Sequence, residues 1–181
     1  MEEKKLVEDC LNGNELACKA LFDLFASPML VLCKRYINNT GEAEDALQDG
    51  FIKVFQNLQS WKGEAALGAW VRRIMVNTCL SRIKTWQYQN IEVNDESVPE
   101  ISLEPSAISE ISYQEIETLI NDLPMGYKTV FNLCVIEGYS YPEIAVLLNV
   151  KESTCRSQLF KAKNYLAKKI IQLNPSLKYS L

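Results

Sequence analysis

The 181 residues include no histidine. A Ser-His or Cys-His nucleophile pair therefore cannot be assembled, and a zinc set would have to be made of cysteine and carboxylate alone. The six cysteines, Cys10, Cys18, Cys33, Cys79, Cys134 and Cys155, stand far apart with no C-x-x-C pair. They are expected to be reduced, mostly buried thiols that serve as small hydrophobes. Glycine is scarce, at seven residues, and none falls in G-x-G-x-x-G or G-x-x-x-x-G-K, the usual backbone cradles for nucleotides. No uninterrupted run of eighteen apolar residues occurs, and MEEKKLVED has no apolar core behind its charges. Neither a membrane span nor a secretory leader is expected, and a cytoplasmic location is. Catalysis, a cofactor, a metal and a small-molecule substrate are all unexpected on this composition.

What is present is ordinary globular composition, 48% hydrophobic and 23% charged, enough for one large domain or two small ones. The net charge of −4 argues against nucleic acid until it is divided along the chain. Residues 1–60 carry −4, residues 61–90 carry +4, residues 91–127 carry −9 and residues 128–181 carry +5. Two cationic stretches flank an anionic one, and a phosphate meets local charge rather than the total.

Apolar residues recur three and four apart while period-two alternation is rare, so the expected fold is all-α. Asn14 can cap a helix over ELACKALFDLFA, and Pro28 can open another through about Asn38. Thr40 can cap a long helix whose Ala43, Leu47, Phe51, Val54, Phe55 and Leu58 share one side. A further helix is expected from about Ala65 to Trp86, with Leu67, Trp70, Val71, Ile74 and Thr78 as its apolar stripe. Residues 90–110, NIEVNDESVPEISLEPSAISE, hold two prolines, several serines and no basic residue. That is linker composition. Two small helical domains are therefore expected, residues 1–88 and 113–181, joined by a flexible acidic linker over 89–112.

In the second domain, Ser140 followed by Glu143 is a capping box, and Pro142 falls where its missing N–H does no harm. The helix it starts at Tyr141 can end at Asn149, which tolerates the left-handed conformation. Ser153 or Thr154 can then cap a second helix with an apolar side of Cys155, Leu159, Ala162 and Leu166. Arg156, Ser157, Phe160, Lys163 and Asn164 fall opposite, with Lys161 at the margin. Short helix, three-residue turn and basic second helix are helix-turn-helix geometry. Arg can read guanine, Phe can touch a thymine methyl and Lys can hold phosphate. A helical hairpin with a solvated charged face is the other reading of this pattern.

In the first domain, Trp61, Trp70 and Trp86 are interleaved with Lys62, Arg72, Arg73, Arg82 and Lys84. Aromatic faces that stack bases and cations that track phosphates are how unpaired strands are held. Arg73, Asn77 and Lys84 form a polar stripe, although core packing of Trp70 beside a solvated face gives the same pattern. Glu42, Glu44, Asp45, Gln48 and Asp49 make the preceding helix acidic, a surface suited to protein rather than phosphate, or simply to solvent near a helix start.

Taken in order, these segments resemble the extracytoplasmic-function (ECF) sigma factors of bacterial RNA polymerase. AEDALQDGFIKVF, residues 43–55, is similar to the family's helix that docks on the clamp coiled coil of the polymerase core. The resemblance implies that Asp45, Gln48, Asp49 and Phe51 make that contact. WKGEAALGAWVRRIMVN, residues 61–77, resembles the loop and helix that capture a flipped base of the minus-ten promoter element, which implies DNA contacts by Trp61, Lys62, Arg73 and Asn77. LPMGYKTVFNLCVIEGYSYPEIAVLLNVKESTCRSQLFKAK, residues 123–163, is similar to the helix-turn-helix that reads the minus-thirty-five element and whose scaffold touches the flap tip. Ser153, Thr154, Arg156, Ser157, Phe160, Lys161 and Lys163 then become the DNA contacts. The family habit adds an anti-sigma factor as a partner. Gly68 and Ala69, Asn149 and Gln158 depart from the family's usual residues. Two further readings compete: a homodimeric helix-turn-helix regulator on a palindrome, and a sigma-like decoy that titrates an anti-sigma factor without DNA.

Overall fold

The computed structural model describes residues 2–84, 102–103, 112–173 and 179–180. The chain forms two compact units, Met1–Gln87 and Tyr88–Leu181. Both are helical. Among the described residues the extended pairing is a two-residue antiparallel rung, β1 (Ser102–Leu103) with β2 (Tyr179–Ser180). The linker expected over 89–112 lies, apart from Ser102, Leu103 and Ser112, outside the described residues.

The first unit contains α1 (Glu3–Leu11), α2 (Glu15–Tyr36), α3 (Thr40–Asn57), a 3₁₀ turn at Leu58–Ser60, and α4 (Leu67–Lys84). Asn14 caps α2, its Oδ1 accepting from the backbone N–H of Leu16 and Ala17. Two helices were expected across this stretch, but Pro28 sits inside one continuous α2. A proline costs an interior helix one hydrogen bond and some crowding. Here Ala17 and Leu21 before it, and Met29, Leu32, Cys33 and Tyr36 after it, are buried in the same core, so packing on both sides overrides the local preference. By length and a mean hydropathy of 1.7, α2 could also cross a membrane; in this fold it packs on α3 and α4. Asn39, rather than Thr40, caps α3 by accepting from the N–H of Glu42.

α3 and α4 approach closely because Gly50 presents bare backbone to Met75. Leu67, Val71, Met75, Val76 and Cys79 of α4 are fully buried against Ala43, Ala46, Val54 and Phe51 of α3. All six cysteines are free thiols, with Cys10, Cys33, Cys79 and Cys155 buried. Cys33 and Cys79 share a side-chain hydrogen bond in the core, and that bond together with burial pushes the Cys79 thiol well up.

The second unit contains α5 (Tyr113–Asn121), α6 (Met125–Phe131) continued by a π turn at Asn132–Ile136, α7 (Tyr141–Leu148) and α8 (Glu152–Leu173). Ser112 and Glu115 form a capping box at α5, and Pro124 keeps α5 and α6 apart as expected. The apolar part of this core is Leu119, Leu123, Val130, Leu133, Ile144, Leu148, Cys155, Leu159 and Ala162. Lys128, Thr129, Asn132, Gln158 and Asn164 are buried with them. Lys128 Nζ donates to Asn121 Oδ1 at 2.8 Å, and burial lowers its pKa to about 8. Asn164, expected on the outer side of α8, is buried, because beyond Ala162 the buried side of the helix shifts to Asn164 and Ala167 and leaves Leu166 half-buried.

Candidate functional site

Three surfaces carry the residues singled out from the sequence. The first is the acidic side of α3. Glu42, Glu44, Asp45 and Gln48 are exposed and Asp49 is partly so. Phe51 is 3% exposed, its ring 4.6 Å from Phe22 and 6.3 Å from Phe55. It therefore holds the acidic face from beneath rather than presenting a surface of its own. Across the helix pair, Arg82 of α4 donates to Asp49 Oδ2 through Nε at 3.1 Å and through Nη2, and its Nη1 lies 4.0 Å from Asp45. The Asp49 hydrogen bond raises the Arg82 pKa further above its ordinary value. A planar guanidinium fork suits one carboxylate held from two nitrogens.

The second surface is a groove of about 410 Å³ between the end of α3 and the middle of α4. Trp70 and Ile74 give it an apolar floor; Lys53, Asn57, Arg73 and Asn77 give it polar walls. Lys53 Nζ donates to Thr78 Oγ1 at 3.2 Å and Asn57 Nδ2 donates to the Lys53 carbonyl at 2.8 Å, so the cation on α3 is held in place. Arg73 and Asn77 are exposed, as is Lys62. Trp70, assigned to the core stripe, is half-exposed in this groove, because the buried stripe of α4 runs through Leu67, Val71, Met75 and Thr78 instead. Sequence periodicity missed Lys53 and Asn57 altogether. Their signal was available only as polar positions on the last turns of α3, one and two turns beyond Asp49.

Next to the groove runs the loop 61–66. Trp61 Nε1–H donates to the Ala65 carbonyl at 3.0 Å, closing the loop on itself. Gly63 has φ +73, a left-handed conformation that a side chain would strain. Flat aromatic surface, cations and amides around one concavity can hold unstacked bases and the phosphates between them.

The third surface is on α7 and α8. Ser140 and Glu143 close the capping box: Ser140 N–H and Oγ–H donate to Glu143 Oε2 at 2.8 and 2.6 Å. Asn149 takes φ 55 and ψ 49, and Val150 N–H reaches the Ala145 carbonyl at 3.0 Å, a six-residue closure that turns the chain sharply. α8 starts at Glu152. Ser153 and Thr154 therefore lie in its first turn and do not precede it; Thr154 and Cys155 N–H both point to the Lys151 carbonyl. Arg156 and Lys163 are exposed, while Ser157, Phe160 and Lys161 are half-exposed beside them. Arg156 stacks over the Tyr141 ring at 5.3 Å and lies 3.5 Å from Glu152. The α8 surface is thus cationic and ordered at its start, with the inner face closed by Cys155, Gln158 and Leu159.

Comparison with known proteins finds the same order of parts. Residues 21–87 match the family described as Sigma-70 region 2, and residues 113–166 match Sigma-70, region 4. The ECF RNA polymerase sigma-E factor of Haemophilus influenzae is 27% identical over 186 aligned positions, covering 94% of this chain and 96% of the relative. That of Escherichia coli K12 is also 27% identical, covering 94% and 95%. Among solved structures, a sigma factor RpoE in complex with the anti-sigma factor NepR from Bartonella quintana has a TM-score of 0.53 at 18% identity, covering 86% of this chain and 97% of that one. CnrH in complex with the cytosolic domain of CnrY has a TM-score of 0.51 at 18% identity, covering 95% and 98%. At that identity these two likenesses speak to the fold.

Proposed function

The chain belongs to the sigma-70 family as an ECF sigma factor, a protein that binds RNA polymerase core for transcription initiation, and from that premise we propose how its residues divide the work. Residues 1–88 act as region 2, residues 113–181 as region 4, and 89–112 as the tether between them. Asp45, Gln48 and Asp49 meet the clamp coiled coil, with Phe51 supporting them from the core and Arg82 setting the carboxylates from the side. Trp61, Lys62, Arg73 and Asn77 take the melted minus-ten strand, joined by Trp70, Lys53 and Asn57 of the same groove. Ser153, Thr154, Arg156, Ser157, Phe160, Lys161 and Lys163 face the minus-thirty-five duplex. The scaffold of region 4 meets the flap tip.

The observation that carries this reading is the groove. Its apolar floor, with Lys53 held in place and Arg73 exposed beside it, suits an unpaired strand better than a duplex, and an acidic helix adjoins it in the same unit. Flipping a base costs a few kcal/mol of unstacking, which contacts in the groove can offset. Phosphodiester chemistry stays with the polymerase, so this chain acts by binding alone, in the cytoplasm where core polymerase is. Neither cationic stretch is strong. DNA binding by the free chain is therefore weak and salt-sensitive, and becomes tight when polymerase holds both units at promoter spacing. An anti-sigma factor is the natural regulator, since the Bartonella quintana sigma factor of similar fold is held in complex with one.

The test is transcription from a randomised promoter library by purified core polymerase with and without this protein. New start sites that share two sequence elements support the proposal. Core that initiates identically with and without the protein refutes it.

A further inference from the structure

α4 begins at Leu67, and the residue before it is Ala66. Alanine offers no side-chain oxygen to the free N–H groups of a helix start, which ordinarily want one. The acceptor comes from elsewhere. Glu3 Oε2 of α1 accepts from Leu67 N–H at 3.0 Å, across 64 positions of sequence. The next residue of α1 reaches the same segment. A Cβ placed on Gly63 would lie 2.9 Å from Lys4 Cε, so the Lys4 stem lies on the loop 61–66 at its left-handed turn. α1 itself is anchored in the core by Leu6, Val7 and Cys10. The loop is thus fixed by its internal Trp61 to Ala65 hydrogen bond and, at its far end, by a carboxylate on a separate helix.

We propose that Glu3 is a positioning residue for strand capture: by capping α4 from outside, it sets where the loop 61–66 ends and holds Trp61 and the start of α4 in the geometry that receives the minus-ten base. The inference rests on the functional reading above and adds to it α1, which neither the sequence motifs nor the matched segment 21–87 includes. A negative charge at a helix N-terminus is also favoured by the helix dipole, so Glu3 does two jobs that a neutral residue at position 3 would not.

The experiment uses holoenzyme reconstituted from core polymerase and the full chain, on a promoter that the wild-type holoenzyme selects from the random library. Wild type, Glu3→Ala and Glu3→Ala with Ala66→Ser are compared. Core affinity is read by titration, opening by 2-aminopurine fluorescence at the minus-ten element, and base preference by substitution at the captured position. Loss of one cap should slow opening about fivefold and narrow the preference for the captured base, while core affinity stays within about twofold. Ala66→Ser, which supplies a cap from the adjacent position, should restore both opening and preference. Opening and preference equal to wild type in Glu3→Ala overturn the proposal, as do a parallel loss of core affinity or a failure of Ala66→Ser to rescue. A wild-type holoenzyme that opens no promoter overturns the functional reading itself, and this inference with it.

Discussion

Gly50→Ala places a methyl group where α3 and α4 have no room for one. The added Cβ would overlap Met75 Sδ and lie 2.8 Å from Met75 Cε. A methionine end is flexible, but Met75 is 0% exposed, so its side chain can move only into space already filled. Overpacking of this kind costs roughly 1 to 3 kcal/mol, and an overlap with sulfur belongs at the upper end. Alanine returns about 1 kcal/mol of helix propensity. The net is a destabilisation of about 2 kcal/mol, or about 1 M in the urea midpoint. The assay is tryptophan fluorescence, because Trp61, Trp70 and Trp86 all belong to the first unit and the second unit is silent to it. Met75→Ala alone should cost roughly 2 to 5 kcal/mol. The double variant should cost about 2 kcal/mol less than the two singles together, since each change makes room for the other. An unchanged or raised midpoint in Gly50→Ala, or strict additivity in the double variant, would refute the close-approach argument.

Three further outcomes are expected. Asp49→Arg should weaken core binding at least tenfold in a titration and lower the fluorescence midpoint slightly, by about 0.5 kcal/mol for a part-exposed pair, because it sets a second guanidinium against Arg82; adding Arg82→Asp should restore the midpoint and not the binding, and recovery of both would show that the carboxylate itself is not read. Arg156→Ala should cost roughly 1 to 3 kcal/mol at one minus-thirty-five position and leave minus-ten opening unchanged; equal losses across all promoter variants would mark it as a phosphate contact instead. Lys128 has a folded pKa of about 8, below its ordinary 10.5, so between those values the unfolded chain holds a proton that the folded chain has released, and the contribution of Lys128 to stability rises with pH in that window. Urea unfolding followed by circular dichroism at pH 7.5 and 9.5 should show a more positive change in stability with pH in wild type than in Lys128→Met; identical profiles would remove that contribution.

The helical class, the separate basic stretches and the α7 to α8 turn could be read from the residues, because caps, a left-handed Asn149 and helical spacing are local signals. α2 could not. Pro28 is a local stop sign, and only the core beneath it, with Leu21 before and Met29 and Leu32 after, shows why the helix continues. Trp70 was misplaced for a related reason. Its spacing fits two neighbouring stripes of α4, and the closeness of α3 at Gly50 decides which one is buried. Phe51 sits in the docking motif by sequence, yet its ring lies against Phe22, a contact between positions 29 apart. The cap supplied by Glu3 is the extreme case, since no window of sequence contains both partners.

One guanidinium braces the acids of α3 while its own helix walls the groove. The two surfaces are therefore weakly coupled in the changes they accept. A lineage that exchanges the charge at position 49 leaves the cation at position 82 with only the more distant Asp45, which favours retuning both. Across a broad alignment of relatives, the signs at these two positions should change together, as a single heritable unit.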